Sequence, residues 1–213
     1  MDNFKAVIFD LDGTLIDSMG VWAQIDEEYL GQFGYEVPLN LQEEITHLTL
    51  TETAIYFKKK FNIEDNIENI ISTWHTMALH HYSNTIKLKD NVIPFLNKLK
   101  DKGIKIALAT SNSVPLLEAT LKNNNIYHYF DVITTTEEVK KSKDNPDIYL
   151  RSAQKLNITP KDCLVFEDII QAVKGAKSAG MTVYAIYDKS SAHQKDELLN
   201  IADRYILNYN EVI

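Results

Sequence analysis

The chain has 213 residues, 45% of them hydrophobic. That is long for one minimal core and short for two independent domains, so a core with an inserted subdomain is expected. A formal net charge of −8 argues against nucleic acid and acidic membranes as partners, because both reward an excess of Lys and Arg.

The single cysteine, Cys163, permits no intrachain disulfide, which suits a reducing, cytoplasmic location. The first residues lack the apolar segment of a signal peptide, and no window approaches a transmembrane span.

The chain opens with Lys5-Ala6-Val7-Ile8-Phe9-Asp10-Leu11-Asp12-Gly13-Thr14-Leu15. The unbroken apolar run Ala6–Phe9 predicts a strand buried on both faces of a parallel sheet. Gly13 lets the backbone turn sharply beyond its tip. Open α/β sheets bind ligands outside the carboxyl ends of their strands, which is where Asp10 and Asp12 are expected. Two carboxylates so close repel one another unless a cation or a shared proton compensates them. Mg²⁺, a hard oxygen-seeking ion, is the usual answer.

Residues 17–85 read as all-helical. Ser18 is a candidate N-cap for a helix with Val21, Ile25 and Tyr29 on one face, ending near Gly34. Two shorter helices are expected over Leu41–His47 and Thr51–Phe61, and a long one over Glu64–Tyr82.

From residue 86 helices and strands alternate. A helix around Asn91–Lys102 ends at Gly103. Strands are expected at Lys105–Ala109, Val132–Thr134, Cys163–Phe166, Thr182–Ile186 and Arg204–Leu207. Helices near Val114–Asn124, Pro146–Leu156, Ile170–Ala179 and Ala192–Ile201 separate them. The pattern predicts an α/β fold, a Rossmann-like parallel sheet core built from 1–16 and 86–213, with residues 17–85 as an inserted helical cap.

Asp10-Leu11-Asp12-Gly13-Thr14 after a strand resembles the first motif of the haloacid dehalogenase (HAD) superfamily of phosphotransferases. Three further motifs of that family can be placed in order. Thr110-Ser111-Asn112 follows the second strand. Lys143-Asp144-Asn145-Pro146-Asp147-Ile148-Tyr149 matches a Lys-Pro-x-Pro-Asp-Ile-Phe pattern, with Asp144 in place of the first proline. Glu167-Asp168 ends the Cys163–Phe166 strand.

The resemblance implies a Mg²⁺-dependent phosphatase acting through an aspartyl phosphate. Asp10 is the implied nucleophile and Asp12 the general acid/base; spacing alone does not say which Asp attacks. Thr110, with Ser111 and Asn112, is implied to hold the phosphate oxygens, although Ser and Asn after a strand are also ordinary helix caps. Lys143 is implied to neutralise charge on Asp10 and the phosphate. Asp168, Asp10 and the Asp12 backbone carbonyl are implied to hold the metal, with Glu167 bound directly or through water. Ile169, Ile170 and Ala172 depart from the pattern, which usually has a small hydroxyl and a Gly or Asp there. The acid at Asp12 disfavours dehalogenation.

The implied substrate is a small phosphorylated metabolite such as a sugar, polyol or glycolate-type phosphate, and a monomer is the default. The chain also resembles β-phosphoglucomutase, which makes a sugar phosphomutase the runner-up. Aligned by the motifs, Trp22 and Thr51 stand where that enzyme carries a His and an Arg. A regulatory or binding protein on a HAD scaffold is the alternative of another class. His75, His80 and His81 form no recognisable zinc set. Trp22 and Trp74 read as core residues, and His47, Thr49 and Thr51 as a specificity loop.

Overall fold

The computed structural model describes residues 4–45, 48 and 50–213, apart from the side chains of Gln42 and Glu43. The chain divides into two compact units, one formed by the segment up to Met19 together with Ile86–Ile213, the other by Gly20–Thr85.

The first unit is built on a six-stranded sheet of order β3-β2-β1-β4-β5-β6, every pairing parallel. Its strands are β1 (Ala6–Phe9), β2 (Lys105–Thr110), β3 (Val132–Thr135), β4 (Cys163–Glu167), β5 (Thr182–Ile186) and β6 (Arg204–Ile206). The apolar run Ala6–Phe9 takes a central position because all four residues are fully buried there. The alternation of side chains then sends Val7 and Phe9 to one face, and Ala6 and Ile8 to the other.

On the Phe9 side, Phe9 stacks on Phe166 with ring centroids 5.2 Å apart, and Phe95 stacks on Tyr209 at the same 5.2 Å. On the other side small residues, Ala6, Ala107, Ala109 and Cys163, let Ile148, Tyr149 and Val173 pack close. Cys163 is a buried strand residue, and burial pushes its thiol up to about 11.

Phe9 lies in register with Leu108 on β2 and Phe166 on β4. Asp10, Thr110 and Glu167-Asp168, at or just beyond the ends of these strands, therefore lie along the carboxyl end of the sheet.

The second unit contains α1 (Val21–Gly31), α2 (Leu41–Ile45), α3 (Leu50–Lys60) and α4 (Ile67–Asn84). Its core is aromatic: Trp74 meets Phe57 at 5.0 Å and Tyr29 at 5.6 Å, both edge-on. Trp74 is a core residue, but Trp22 is 39% exposed and is not. His75 and His80 face solvent, whereas buried His81 lies beside Thr85 and Glu28.

Several boundaries shift for local reasons. Ser18 is not a cap; Gly20 precedes α1 and offers no side-chain bond. Helix α4 starts at Ile67 because the Asn66 side chain accepts from the Asn69 N–H at 2.7 Å. The remaining helices are α5 (Val92–Asp101), α6 (Val114–Asn123), α7 (Thr136–Val139), α8 (Asp147–Leu156), α9 (Ile170–Ser178) and α10 (Lys195–Ile201). The short α7 was not expected; it follows because Thr135 accepts from the Glu138 N–H. The segment before Lys195 is a separate 3-10 turn, Ala192–Gln194.

Candidate active site

Beyond β1 the chain bends back on itself. The Asp10 N–H donates to the Phe166 carbonyl at 3.1 Å, and the Leu11 carbonyl accepts from Leu15 at 2.9 Å and Ile16 at 3.1 Å. Gly13 takes φ +80°, and a Cβ there would stand 2.4 Å from Asp168 Oδ2. Glycine is thus required twice, for the positive φ and for the approach of a carboxylate.

Asp10, Glu167 and Asp168 are all buried, and an oxygen from each lies within 4.8 Å of the others. Lys143, also buried, donates to Asp10 Oδ1 at 2.6 Å and pairs with Glu167 Oε1 at 2.5 Å. Burial pulls the Lys143 ammonium down, but the charges of Asp10 and Glu167 and its bonds to them outweigh this and hold it above its ordinary range. Glu167 is pushed up to about 7, by burial first and by Asp10 next, against the opposing pull of Lys143. Asp168 is raised well above the usual carboxylate range by burial, then by Asp10 and Glu167.

With all three acids ionised, one ammonium would leave two negative charges uncompensated in a buried site, which is why Glu167 and Asp168 resist ionisation on their own. Two carboxylate oxygens, Glu167 Oε2 and Asp168 Oδ2, are buried without a hydrogen-bond partner. Buried charge persists only when paired or ligated. An all-oxygen donor set with a surplus of two charges fits a hard divalent cation. Glu167 Oε1 is already taken by Lys143 and by the Tyr149 hydroxyl, which donates at 2.8 Å, so Oε2 is the oxygen left to face a metal.

Asp12 stands apart from this group. Its Oδ1 accepts from the Ser18 hydroxyl at 2.7 Å and its Oδ2 from the Asn112 side-chain amide at 2.9 Å. Its carboxylate is therefore not one of the three clustered acids among the described residues. Thr110, fully buried at the end of β2, accepts from the Asn112 N–H at 3.0 Å. Ser111 is exposed in the same turn. Thr51 lies exposed at the start of α3, while His47 and Thr49 fall outside the described residues.

Three roles escaped the sequence. Ser18 reads locally as a helix cap, Asn112 as a phosphate ligand, and Tyr149 only as the end of a motif. Each has its partner far off in the chain or in the turn of another motif, where no local pattern points.

Residues 7–186 match the haloacid dehalogenase-like hydrolase family. The chain belongs to that family. This HAD hydrolase is 29% identical over 209 residues to the phosphorylated carbohydrates phosphatase of Thermotoga maritima, covering 96% of this chain and 97% of that one. It is 27% identical over 186 residues to the fructose-1-phosphate phosphatase YqaB of Escherichia coli, covering 84% and 95%. A crystal structure from Thermotoga maritima, named provisionally as a β-phosphoglucomutase, superposes with a TM-score of 0.86 at 28% identity, covering 98% of this chain and 96% of that one. The protein is a HAD-family phosphatase, a phosphoric monoester hydrolase. Among the described residues no helix is long and apolar enough to cross a membrane.

Proposed function

We propose that this HAD phosphatase is Mg²⁺-dependent and hydrolyses a small phosphorylated metabolite, a sugar phosphate first among the candidates, through an aspartyl phosphate on Asp10. The observation that carries the reading is the position of Lys143. Its ammonium touches Asp10 and Glu167 at 2.6 and 2.5 Å inside a buried group of three acids. Such a cation offsets the charge of Asp10 as an anionic phosphate approaches, and can meet that phosphate as a point charge.

Asp10 attacks phosphorus and the bond to the leaving oxygen breaks. Asp12 gives that oxygen its proton, then takes one from the water that cleaves the acyl phosphate. Ser18 and Asn112 hold the Asp12 carboxylate from both sides. Thr110, the backbone N–H of Ser111 and the second amide hydrogen of Asn112, the one not given to Asp12, would hold the phosphate oxygens ahead of α6. Asp10, Asp168, the Asp12 carbonyl and Glu167, directly or through water, would hold the metal. When bound, Mg²⁺ supplies charge neutralisation at the transferring phosphoryl group.

The sugar-phosphate preference is supported by the carbohydrate phosphatase and the fructose-1-phosphate phosphatase among the relatives. A panel of phosphorylated sugars, polyols and carboxylic acids, with phosphate release measured for each, tests it. Turnover confined to non-carbohydrate esters overturns the preference. Turnover of no ester, a generic aryl phosphate included, would favour a binding or regulatory role. A sugar phosphomutase is the second reading, favoured by the likeness to the provisionally named mutase. Trp22 and Thr51, in place of that enzyme's His and Arg, weigh against it.

A further inference from the structure

Helix α9 carries a glycine, Gly175, in its interior. Its φ is not positive, so no turn requires glycine there, and glycine is the least favourable residue in a helix interior after proline. What requires it is a contact. A Cβ on Gly175 would stand 2.0 Å from the carbonyl oxygen of Lys143, and 3.0 Å from both the Asn145 oxygen and the Asp144 carbonyl carbon. All three are backbone atoms, so none can rotate aside as a flexible side chain could.

The same helix is tied to the acid cluster. It begins two residues after Asp168, and the Tyr149 hydroxyl lies 2.8 Å from Glu167 Oε1 and 3.1 Å from the Ala172 carbonyl on α9. The backbone of Lys143 rests on this helix, and its ammonium must reach Asp10 and Glu167 together at 2.6 and 2.5 Å. A methyl at position 175 would force the Lys143 carbonyl back by more than about 1 Å, since non-bonded atoms settle near 3.5 Å. Carried along the buried side chain to Nζ, a shift of that size would lengthen two hydrogen bonds as short as these beyond their range.

We propose that Gly175 is a positioning residue: the missing side chain lets the Lys143 backbone seat against α9 and so sets the Lys143 ammonium between Asp10 and Glu167. The inference rests on the role given to Lys143 above, and no direct contact of Gly175 with substrate is invoked.

The test is a double-mutant cycle of Gly175→Ala with Lys143→Met, with two readouts: turnover of a generic aryl phosphate, and Mn²⁺ binding by electron paramagnetic resonance without substrate. Gly175→Ala should lower kcat about tenfold or more, because a misplacement of about 1 Å can cost up to about a hundredfold. In the Lys143→Met background the same change should alter kcat less than about twofold, because residues acting through one another are not additive. Withdrawing the ammonium removes positive charge beside the acids, so Mn²⁺ should bind several-fold tighter to either single variant, with no further gain in the double. A residue that only supports packing would move neither the cycle nor the Mn²⁺ affinity.

If Gly175→Ala does not fold, Gly175→Ala with Asn145→Gly, which frees the loop to yield, takes its place against Asn145→Gly alone. Wild-type kcat and Mn²⁺ affinity in the position-175 variant, or an equal loss in both backgrounds, overturns the inference. Undiminished turnover by Lys143→Met overturns instead the role of Lys143.

Discussion

The carboxylate of Asp12 accepts a hydrogen bond from the side-chain amide of Asn112 at 2.9 Å, across 100 residues of chain. Ser18 holds the opposite oxygen at 2.7 Å. A general acid/base works only if its oxygen is aimed at the proton it moves, and in the proposed mechanism this clamp does the aiming. Asn112→Ala should therefore cost about tenfold in kcat, a fraction of the about 10²–10⁴-fold that general acid/base catalysis contributes. Asn112→Asp should be worse, because it replaces a donor with a second carboxylate against Asp12. Steady-state rates of the two variants, with circular dichroism as the control for folding, check the order. Asn112→Asp as active as wild type would remove the clamp from the mechanism.

The buried acid cluster costs the fold stability and suits a metal site. Burial and the neighbouring carboxylates disfavour a charge on Asp168, and its Oδ2 has no hydrogen-bond partner. Asp168→Asn should raise the melting temperature of metal-free protein by a few degrees, about 1 kcal/mol in a chain of this size. Mg²⁺ should raise the melting temperature of the wild type by binding the folded state, and Asp168→Asn should abolish that rise. Scanning calorimetry in chelator and in Mg²⁺ reads both effects. Chelation should silence turnover and Mg²⁺ restore it. Ca²⁺ should restore it poorly, since its larger coordination shell can draw both Asp10 oxygens to the metal.

The sheet edges are secured by two acids in matching positions. Asp131, just before β3, accepts from the Ile106 N–H at 2.9 Å, while its own N–H donates to the Ile106 carbonyl at 2.8 Å. Asp203, just before β6, does the same with Val183, at 2.7 and 2.8 Å. Burial alone would push the Asp131 carboxyl up, but the Ile106 N–H and the Lys105 and Lys100 ammoniums outweigh it and hold it below its ordinary value of 3.8. A carboxylate held low stabilises the fold above its ordinary pKa and loses that contribution as pH falls through the lowered value. Asp131→Asn should cost about 1 kcal/mol at pH 7, the scale of one net hydrogen bond. The gap to wild type should close progressively below pH 3.8. Urea unfolding at neutral pH and at successively lower pH measures this; a gap independent of pH would deny the charge its part.

The parallel sheet was legible because Ala6–Phe9 and Cys163–Phe166 are unbroken apolar runs too short for a helix, which suits strands buried on both faces. Asp10 and Glu167-Asp168 were legible with them, since each acid directly follows such a run. Ser18 was misread because a serine ahead of an apolar-periodic stretch satisfies the local rule for a cap, and only the folded loop shows its hydroxyl turned to Asp12. Gly175 was invisible for the opposite reason: it breaks a helix preference without ending the helix, and the carbonyl it accommodates lies 32 residues earlier. Trp22 shows the limit of periodicity, which places a residue on a helix but not against a neighbour.

The protein should act as a hydrolase and not as a sugar mutase. A mutase must keep its phosphorylated aspartate alive while a bound bisphosphate turns round, which requires a restraint on the acid/base and a grip on the second phosphate. Trp22, 39% exposed on α1, and Thr51, exposed on α3, offer neither the imidazole nor the guanidinium that the resemblance would require. In the proposed mechanism Asp12, held by Ser18 and Asn112, would then activate water promptly. Incubation with β-glucose 1-phosphate and a bisphosphate primer should yield at most glucose and inorganic phosphate. Efficient accumulation of glucose 6-phosphate would sink this expectation and promote the mutase. Trp22→His alone should not create one, because a side chain able to clamp the second phosphate, as Arg does through paired hydrogen bonds, would still be missing at position 51.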